Sequence, residues 1–245
     1  MQAIVMAGGK GSRLHPYTAV LPKPLMPLGN MPVLELILCQ LRAHGFRSVC
    51  IAVNHLRHLI QAFFGDGSAF GIDIVYSLED RPLGTAGPIG VLLDSMDENF
   101  LVLNGDLVTS MGFSRLLEYH VGQNAAATVG TMLREVTLDS GVLDIDPQGR
   151  VLGYHEKPSQ TYAISMGVYA LRREALRGLI EAGRPVDMPD LLVRLMKADG
   201  RVMSYREDCL WLDIGRPDDY ARAQDLVAAQ SDLLIPSGAS LPETS

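Results

Sequence analysis

Short apolar runs alternate with segments of helical spacing along the first half of the chain. Each apolar run predicts a buried strand, and the runs lie at 2–6, 48–53, 72–76, 100–103 and 125–132. Apolar residues recur every three or four positions in the segments between them, which predicts helices at 33–44, 56–64, 84–95 and 113–121. Because strands joined by helices of this length form right-handed crossovers, the pattern predicts an α/β fold with a mostly parallel sheet.

After about residue 134 the pattern changes to shorter alternating segments. Two of them, 141–146 and 151–154, flank the turn sequence Asp146-Pro147-Gln148-Gly149 and predict a hairpin. Further strands are predicted at 162–171, 202–205 and 209–214, and we expect these late strands to cover the open side of the sheet. Helices are predicted at 173–182, 187–198 and 217–230. Residues 231–245 show no periodicity and predict a disordered tail.

Composition and charge narrow the class of protein. With 245 residues, 47% of them hydrophobic, the chain can bury the core of one α/β domain, with or without a small appendage. The net charge of -7 argues against a nucleic-acid partner, which would be held by neutralising phosphates. No apolar run approaches the ~18 residues that span a bilayer, and residues 1–10 lack the features of a signal peptide.

The cysteines point to the compartment. Cys39, Cys50 and Cys209 are an odd, widely spaced set without a CxxC pair. This usage fits a reducing cytosol better than a disulfide framework. We therefore expect a soluble, cytoplasmic protein that contacts neither membrane nor nucleic acid.

The opening of the chain is basic although the whole chain is acidic. Residues 1–34 contain Lys10, Arg13 and Lys23 but no Asp or Glu. The first predicted strand is followed by a glycine cluster, Gly8, Gly9 and Gly11. Glycines let backbone N–H groups approach an anion, and the carboxyl edge of an open α/β sheet is where such folds bind ligands. The loop predicts a phosphate site, against the alternative of a turn with solvated charges.

Two common phosphate-binding motifs do not fit this loop. A P-loop requires Ser or Thr directly after Gly-Lys, but Gly11 follows Gly9-Lys10. The dinucleotide fingerprint fails because Leu14 stands where its third glycine is required. Arg13 remains as a side chain that can present two parallel donors to phosphate oxygens.

Lys23 lies in a proline-rich stretch that is predicted to be long, stiff and free of helix. The prolines that exclude a helix are Pro16, Pro22, Pro24, Pro27 and Pro32. Because Pro22 and Pro24 restrict the backbone on both sides of Lys23, its ammonium group is held in one position, and little conformational entropy is lost when it binds an anion. This suits a lysine that meets an anion whose charge grows during a reaction. Alone, Lys23 would be interpreted as a surface lysine; together with Arg13 it favours the phosphate site.

Several motifs resemble those of a known family. The sequences MAGGKGSRLHPYT at 6–18 and PKPLMP at 22–27 are similar to the signature of the sugar-1-phosphate nucleotidyltransferases, the NDP-sugar pyrophosphorylases. Further landmarks follow in the family's order: PLGTAG at 82–87, NGD at 104–106, Gly141, EKP at 156–158, MGVY at 166–169 and WLDIG at 211–215. The similarity covers about residues 1–230. Ser12 departs from it, because Thr is commoner at that position.

The resemblance implies a reaction and a metal. A nucleoside triphosphate reacts with a sugar 1-phosphate by in-line attack on the α-phosphorus, which gives an NDP-sugar and pyrophosphate. Positioning and charge neutralisation dominate such catalysis, and the implied catalytic residues are Arg13, Lys23 and Asp106. Asp106 and Asp213 are implied ligands of Mg²⁺, which prefers hard oxygen ligands supplemented by substrate phosphates. Asp106 also follows the predicted strand at 100–103, so its carboxylate is expected at the same sheet edge as the glycine loop. Without the resemblance, Asp106 could as well cap a helix, and Asp213 fits a turn before Gly215.

The resemblance also implies binding residues for both substrates. For the nucleotide, small residues would let a flat base lie against the backbone of the PLGTAG segment, although such residues are also a common helix start. The nucleotide-binding residues are Ala7, Gly8, Gly9, Gly11, Ser12, Arg13, Gly84, Thr85 and Ala86. The residues that bind the sugar phosphate are Asn104, Gly141, Glu156, Lys157 and Gly167.

The implied architecture is a three-layer α/β/α Rossmann-like fold with a mixed, mostly parallel central sheet. We expect a single nucleotidyltransferase domain over residues 1–230. Its nucleotide-binding core would comprise about 1–133 plus 200–230, and its sugar-phosphate-binding portion about 134–199. Relatives commonly form dimers or tetramers, so the sequence leaves a homo-oligomer open.

The nucleotide and the sugar are separate predictions. The PLGTAG segment and the strand end Asn-Gly-Asp-Leu are more similar to guanylyltransferases acting on mannose, heptose or related phosphates than to thymidylyltransferases, which favours GTP. One alternative is the specificity of a glucose-1-phosphate thymidylyltransferase. Another is a non-catalytic sensor of phosphosugars or nucleotides, which we would expect to lose the metal aspartates or the loop lysine.

Overall fold

The computed structural model describes residues 1–9, 11–79 and 81–234, without the side chains of Ser231 and Asp232. The strands are β1 (Gln2–Met6), β2 (Pro27–Leu28), β3 (Met31–Pro32), β4 (Ser48–Val53), β5 (Asp73–Leu78), β6 (Asn99–Asn104), β7 (Leu107–Thr109), β8 (Ala127–Thr137), β9 (Val142–Ile145), β10 (Val151–His155), β11 (Ser159–Arg172), β12 (Val202–Arg206) and β13 (Trp211–Asp213). The helices are α1 (Val33–Ala43), α2 (Arg57–Phe64), α3 (Gly87–Leu92), α4 (Phe113–Gly122), α5 (Arg173–Leu176), α6 (Met188–Lys197) and α7 (Pro217–Leu234).

Seven of the described strands form one central sheet in the order β12-β8-β11-β6-β1-β4-β5. Pairing is parallel from β6 through β1 and β4 to β5, and again between β12 and β8. Strand β11 lies antiparallel between β6 and β8. The predicted mixed, mostly parallel sheet is confirmed.

Helices cover both faces of this sheet, which confirms the three-layer α/β/α fold. Successive residues of β1 show the division, because Ala3 and Val5 pack in one core and Ile4 packs in the other. The first core receives buried residues of α1, α2, α4 and α7, and the second receives those of α3, α5 and α6. The apolar run at 2–6 is continuous because both of its faces are buried.

Four predictions about individual elements were wrong in part. Strands β11 and β12 join the central sheet instead of covering it, because their backbones complete its ladder beside β6 and β8. The helix predicted from residue 84 begins at Gly87, since Gly84 has a left-handed φ of 77°. The helix predicted at 173–182 ends at Leu176, two residues before Gly178, whose φ is also left-handed at 77°. Finally, the proline-rich stretch contains two short 3-10 turns, at Tyr17–Ala19 and Lys23–Leu25, and a third, at Ser12–Leu14, precedes it.

The last helix extends beyond the boundary predicted for the tail. Helix α7 is kinked at Gln230, whose φ of -139° is not helical, and continues to Leu234. The side chain of Leu234 is buried, and its carbonyl oxygen accepts a hydrogen bond of 2.7 Å from Gln40 Nε2. Residues 231–234 are therefore helical, and the rest of the predicted tail, 235–245, lies outside the described residues. Within the described part of the chain, no helix has the length and apolarity needed to cross a membrane.

A buried histidine makes the fold sensitive to acid. His120 of α4 is fully buried, with Nδ1 2.9 Å from Thr128 Oγ1 and Nε2 3.2 Å from Asn99 Oδ1. Burial, assisted by the charge of Arg172, lowers the pKa of His120 to about 4. The unfolded chain, in which the histidine pKa is near its usual 6.5, therefore binds the proton more tightly.

We expect the free energy of unfolding to fall as the pH decreases from 6.5 towards 4, because the unfolded state binds more protons throughout this window. The contribution of His120 to this loss is about 3 kcal/mol. Urea unfolding at several pH values checks it, and His120→Gln should have a flatter pH profile than the wild-type protein. The exposed His58→Gln serves as the control, and equal pH profiles for His120→Gln and the wild type would contradict the prediction.

Candidate functional site

A cleft of about 440 Å³ opens at the carboxyl edge of the central sheet, over the ends of β1, β5 and β6. Parallel strands end together at this edge, which brings loops from distant parts of the sequence into one place. Eleven of the predicted site residues line the cleft: Gly8, Gly9, Gly11, Ser12, Arg13, Lys23, Gly84, Thr85, Asn104, Asp106 and Asp213.

The glycine loop after β1 forms one wall of the cleft. Gly11 has a φ of 61°, and a Cβ there would lie 2.9 Å from Thr18 Cγ2, so a side chain is excluded on both counts. Thr18 Oγ1 donates to the Gly11 carbonyl at 2.8 Å and fixes the turn. In the 3-10 turn that follows, Leu14 is fully buried while Arg13 is exposed at the cleft. Lys10, the other predicted cation of this loop, lies outside the described residues.

The two predicted metal ligands meet through a small strand pair. Strands β7 and β13 pair antiparallel, with Asp213 opposite Leu107, and Ile214 N donates to the Asp106 carbonyl at 3.1 Å. The side chain of Lys23, only 11% exposed, reaches the same place. Its Nζ forms an ion pair with Asp106 Oδ2 and lies 3.8 Å from Asp213 Oδ1.

In the part of the chain that the structure describes, this cluster sets two carboxylates against the one ammonium group that contacts them. Burial raises the pKa of Asp213, the charge of Asp106 raises it further, and Lys23 and Arg13 lower it. Asp213 Oδ1 is buried, and no hydrogen-bond partner for it is found within the described residues. An unpartnered carboxylate oxygen beside a second carboxylate fits a divalent cation, and Mg²⁺ is commonly held by one or two carboxylates together with substrate phosphates. Asp106 and Asp213 are therefore suited to hold it.

Glu79 is a cleft residue that the sequence analysis missed. It follows β5 directly, is 8% exposed and lines the cleft beside the glycine loop, since a Cβ on Gly8 would lie 3.3 Å from Glu79 Oε1. Glu79 Oε2 accepts a hydrogen bond of 3.1 Å from Leu83 N. Burial raises the pKa of Glu79, while hydrogen bonds from Leu83 and Asn54 lower it. Its position just after an apolar run, the same signal that marked Asp106, could have identified it.

Two predicted nucleotide-binding residues lie behind the cleft. Ala7 and Ala86 are buried and are not among its lining residues. Ala7 N donates to the Ala52 carbonyl at 2.8 Å, and Ala86 N donates to the Val186 carbonyl at 2.9 Å. Both residues fix backbone that the lining residues depend on.

The residues predicted for the sugar phosphate separate into two groups. Asn104 lines the cleft and Gly167 packs against it, since a Cβ on Gly167 would lie 2.6 Å from Asn104 Nδ2. Gly141, Glu156 and Lys157 lie instead at the ends of the confirmed β9–β10 hairpin, outside the cleft lining. Tyr154 joins two of them, because its hydroxyl donates to Glu156 Oε2 at 2.7 Å and fills the space where a Cβ of Gly141 would stand.

The sequence profile described as nucleotidyl transferase matches residues 2–230. The chain belongs to the nucleotidyl transferase family. The match confirms the resemblance carried by the glycine loop and the later motifs.

Named relatives of this nucleotidyl transferase include two enzymes with different nucleotides. A UTP–glucose-1-phosphate uridylyltransferase from Synechocystis sp. is 32% identical over 242 residues, which cover 91% of this chain and 62% of the relative. A mannose-1-phosphate guanylyltransferase from Mycobacterium tuberculosis is 32% identical over 233 residues, which cover 93% of this chain and 65% of the relative. The chain thus spans less than two thirds of the length of either relative.

Solved structures share the fold of this nucleotidyl transferase. A candidate glucose-1-phosphate thymidylyltransferase from Bacillus anthracis, in complex with a sucrose, has a TM-score of 0.74 at 24% identity and covers 92% of this chain and 94% of its own. HddC from Yersinia pseudotuberculosis, complexed with GMP-PN, has a TM-score of 0.71 at 22% identity and covers 91% of this chain and 98% of its own. At these identities the likeness shows the fold alone.

Proposed function

We propose that this nucleotidyl transferase transfers a nucleoside monophosphate from a nucleoside triphosphate, with GTP favoured, to a sugar 1-phosphate. The observation that carries the proposal is the single cleft in which a glycine loop, two cations and two carboxylates face one another. The names of the uridylyltransferase and guanylyltransferase relatives support the same reaction class.

The proposed chemistry exchanges one phosphoanhydride bond for another. A phosphate oxygen of the sugar 1-phosphate attacks the α-phosphorus in line, a new P–O bond forms, and the bond from the α-phosphorus to the bridging oxygen breaks. Pyrophosphate leaves with the bond electrons, so negative charge grows on the departing group. Arg13 and Lys23, which both line the cleft, would stabilise that charge, and the glycine amides would orient the triphosphate.

The carboxylate pair fits a role in holding the proposed cofactor. Asp106 and Asp213 would bind Mg²⁺, which when bound polarises phosphoryl oxygens and offsets the repulsion between two polyanionic substrates. Lys23 contacts Asp106, so it would exchange this carboxylate for a phosphate oxygen when the metal is bound. The two carboxylates and the lysine would therefore act together in binding the metal and the phosphates.

The sugar phosphate would be bound between the cleft and the hairpin. Glu156 would accept hydrogen bonds from sugar hydroxyls, and Lys157 would pair with the phosphate. Gly141 would allow close approach of the sugar ring, while Asn104 and Gly167 would contact the substrate from the sheet edge. This assignment corresponds to the proposed division into a nucleotide-binding core, about 1–133 plus 200–230, and a sugar-phosphate-binding portion, about 134–199.

Glu79 supports guanine as the base. A carboxylate only accepts hydrogen bonds, and guanine offers two adjacent donors, N1–H and its 2-amino group. Uracil and thymine present one N–H between two carbonyl oxygens, so either base would place an oxygen against the carboxylate of Glu79. The position of Glu79 beside Leu83, Gly84 and Thr85, where the base is proposed to lie, therefore favours GTP.

Glu79→Gln is expected to weaken the preference for GTP. The amide retains an acceptor for Leu83 N but replaces the second acceptor by a donor, so kcat/KM for GTP should fall by about 10- to 100-fold while that for UTP or dTTP rises. Initial rates with GTP, UTP, dTTP, CTP and ATP measure the change, and the exposed Glu118→Gln is the matched control. A wild-type protein that turns over dTTP alone would contradict the guanine assignment and favour the thymidylyltransferase specificity.

A further inference from the structure

The loop at 83–87, here called the nucleotide loop, is held from behind by the backbone at 186–188. Val186 N donates to the Leu83 carbonyl at 2.9 Å. The Val186 carbonyl in turn accepts hydrogen bonds from Ala86 N at 2.9 Å and Gly87 N at 3.0 Å. These three bonds connect the cleft lining to the segment that begins α6.

Hydrogen bonds of the Thr85 and Asp187 side chains complete this connection. Asp187 Oδ1 accepts from Thr85 N at 2.9 Å and from Thr85 Oγ1 at 3.3 Å. Thr85 Oγ1 itself accepts from Met188 N at 2.8 Å. Asp187 occupies the N-cap position of α6 but makes no capping bond to its own helix, so the hydroxyl of Thr85 supplies the acceptor that the first turn of α6 needs.

Gly84 shows how closely the two segments approach. A Cβ on Gly84 would lie 2.6 Å from the Val186 carbonyl oxygen and 2.7 Å from Asp187 Oδ1, and its φ of 77° is left-handed. The nucleotide loop therefore lies directly on Val186 and Asp187. Because Gly84 and Thr85 line the cleft, any movement of Asp187 is passed to the wall against which the base is proposed to bind.

We propose that Asp187 is a positioning residue for the nucleoside triphosphate. This inference rests on the proposed function and adds to it a residue outside the cleft lining, on a segment assigned to the sugar-phosphate-binding portion. Asp187 fixes the amide and hydroxyl of Thr85, so the nucleotide loop is already ordered when the nucleotide arrives. Without that carboxylate, binding must supply the free energy of ordering the loop.

Asp187→Ala, Asp187→Asn and Asp190→Ala form a matched set. Alanine removes the acceptor for Thr85, asparagine retains it through Oδ1, and Asp190 is an exposed acid of the same helical turn. We expect Asp187→Ala to raise KM for the nucleoside triphosphate by about tenfold with little change in kcat or in KM for the sugar 1-phosphate. Asp187→Asn and Asp190→Ala should behave like the wild-type protein.

Two further readouts separate positioning from a general loss of stability. Titration with GTP and Mg²⁺ in the absence of sugar 1-phosphate should show the same tenfold weakening, about 1.4 kcal/mol, for Asp187→Ala. Hydrogen exchange of a peptide covering 83–88 should accelerate in Asp187→Ala but not in Asp187→Asn. Unchanged GTP binding and unchanged exchange in Asp187→Ala would overturn the inference and leave the proposed function intact. A wild-type protein that neither binds nor turns over any nucleoside triphosphate would overturn both.

Discussion

Lys23→Ala is expected to reduce turnover by about 10²- to 10³-fold, because a positioned charge that stabilises the leaving group is lost. Lys23 is nearly buried, forms an ion pair with Asp106 and lies 3.8 Å from Asp213. Among the described residues, no other cation contacts both carboxylates. Arginine should restore little activity, because its planar guanidinium is larger and distributes its charge differently. Steady-state release of pyrophosphate from GTP and a sugar 1-phosphate measures the effect.

The control for this variant is Lys197→Ala, an exposed lysine at the end of α6. It should retain wild-type turnover. Circular dichroism establishes that Lys23→Ala is folded, although removing the partner of Asp106 should cost about 1–3 kcal/mol of stability. Near-normal pyrophosphate release by folded Lys23→Ala would contradict the role given to this residue.

Asp213→Asn is expected to show opposite effects on activity and stability. Turnover should fall by about 10³-fold, because one of the two carboxylates proposed to hold Mg²⁺ is lost. Stability in EDTA should rise, because Asp213 has a pKa raised by burial and by Asp106. A carboxyl whose pKa is raised on folding loses stabilisation as the pH increases through that pKa, so its ionised form is unfavourable at neutral pH. Asparagine has no such charge.

Pyrophosphate release measures the loss of turnover, and thermal unfolding with EDTA and with Mg²⁺ tests the effects on stability and on metal binding. The wild-type protein should gain stability when Mg²⁺ and GTP are added, and Asp213→Asn should gain much less. Asp218→Asn, which changes an acid in the first turn of α7, is the control and should respond like the wild type. Equal stabilisation of Asp213→Asn and the wild-type protein by Mg²⁺ would contradict the proposal that Asp213 is a metal ligand.

Local sequence signals predicted the fold and much of the cleft. The continuous apolar run at 2–6 correctly indicated a strand buried on both faces, and the glycines after it identified the loop at the cleft. Asp106 was found for a similar reason, since it follows an apolar strand at the ligand-binding edge. These features depend on residues close together in the sequence.

Features that depend on long-range pairing were predicted less well. The insertion of β11 between β6 and β8 could not be read from periodicity, because strand order is not a local property. The support of Thr85 by Asp187 likewise joins residues far apart in the sequence. Asp213 was placed at the cleft only through the resemblance, and the structure brings it there by pairing β13 with β7.

The most direct test of the proposed function is ³¹P NMR of the wild-type protein with Mg²⁺, GTP and a panel of sugar 1-phosphates. We predict that pyrophosphate and an NDP-sugar appear in equal amounts, and only when both substrates are present. Release of inorganic phosphate, release of pyrophosphate without a sugar 1-phosphate, or no reaction with GTP or any other nucleoside triphosphate would contradict it.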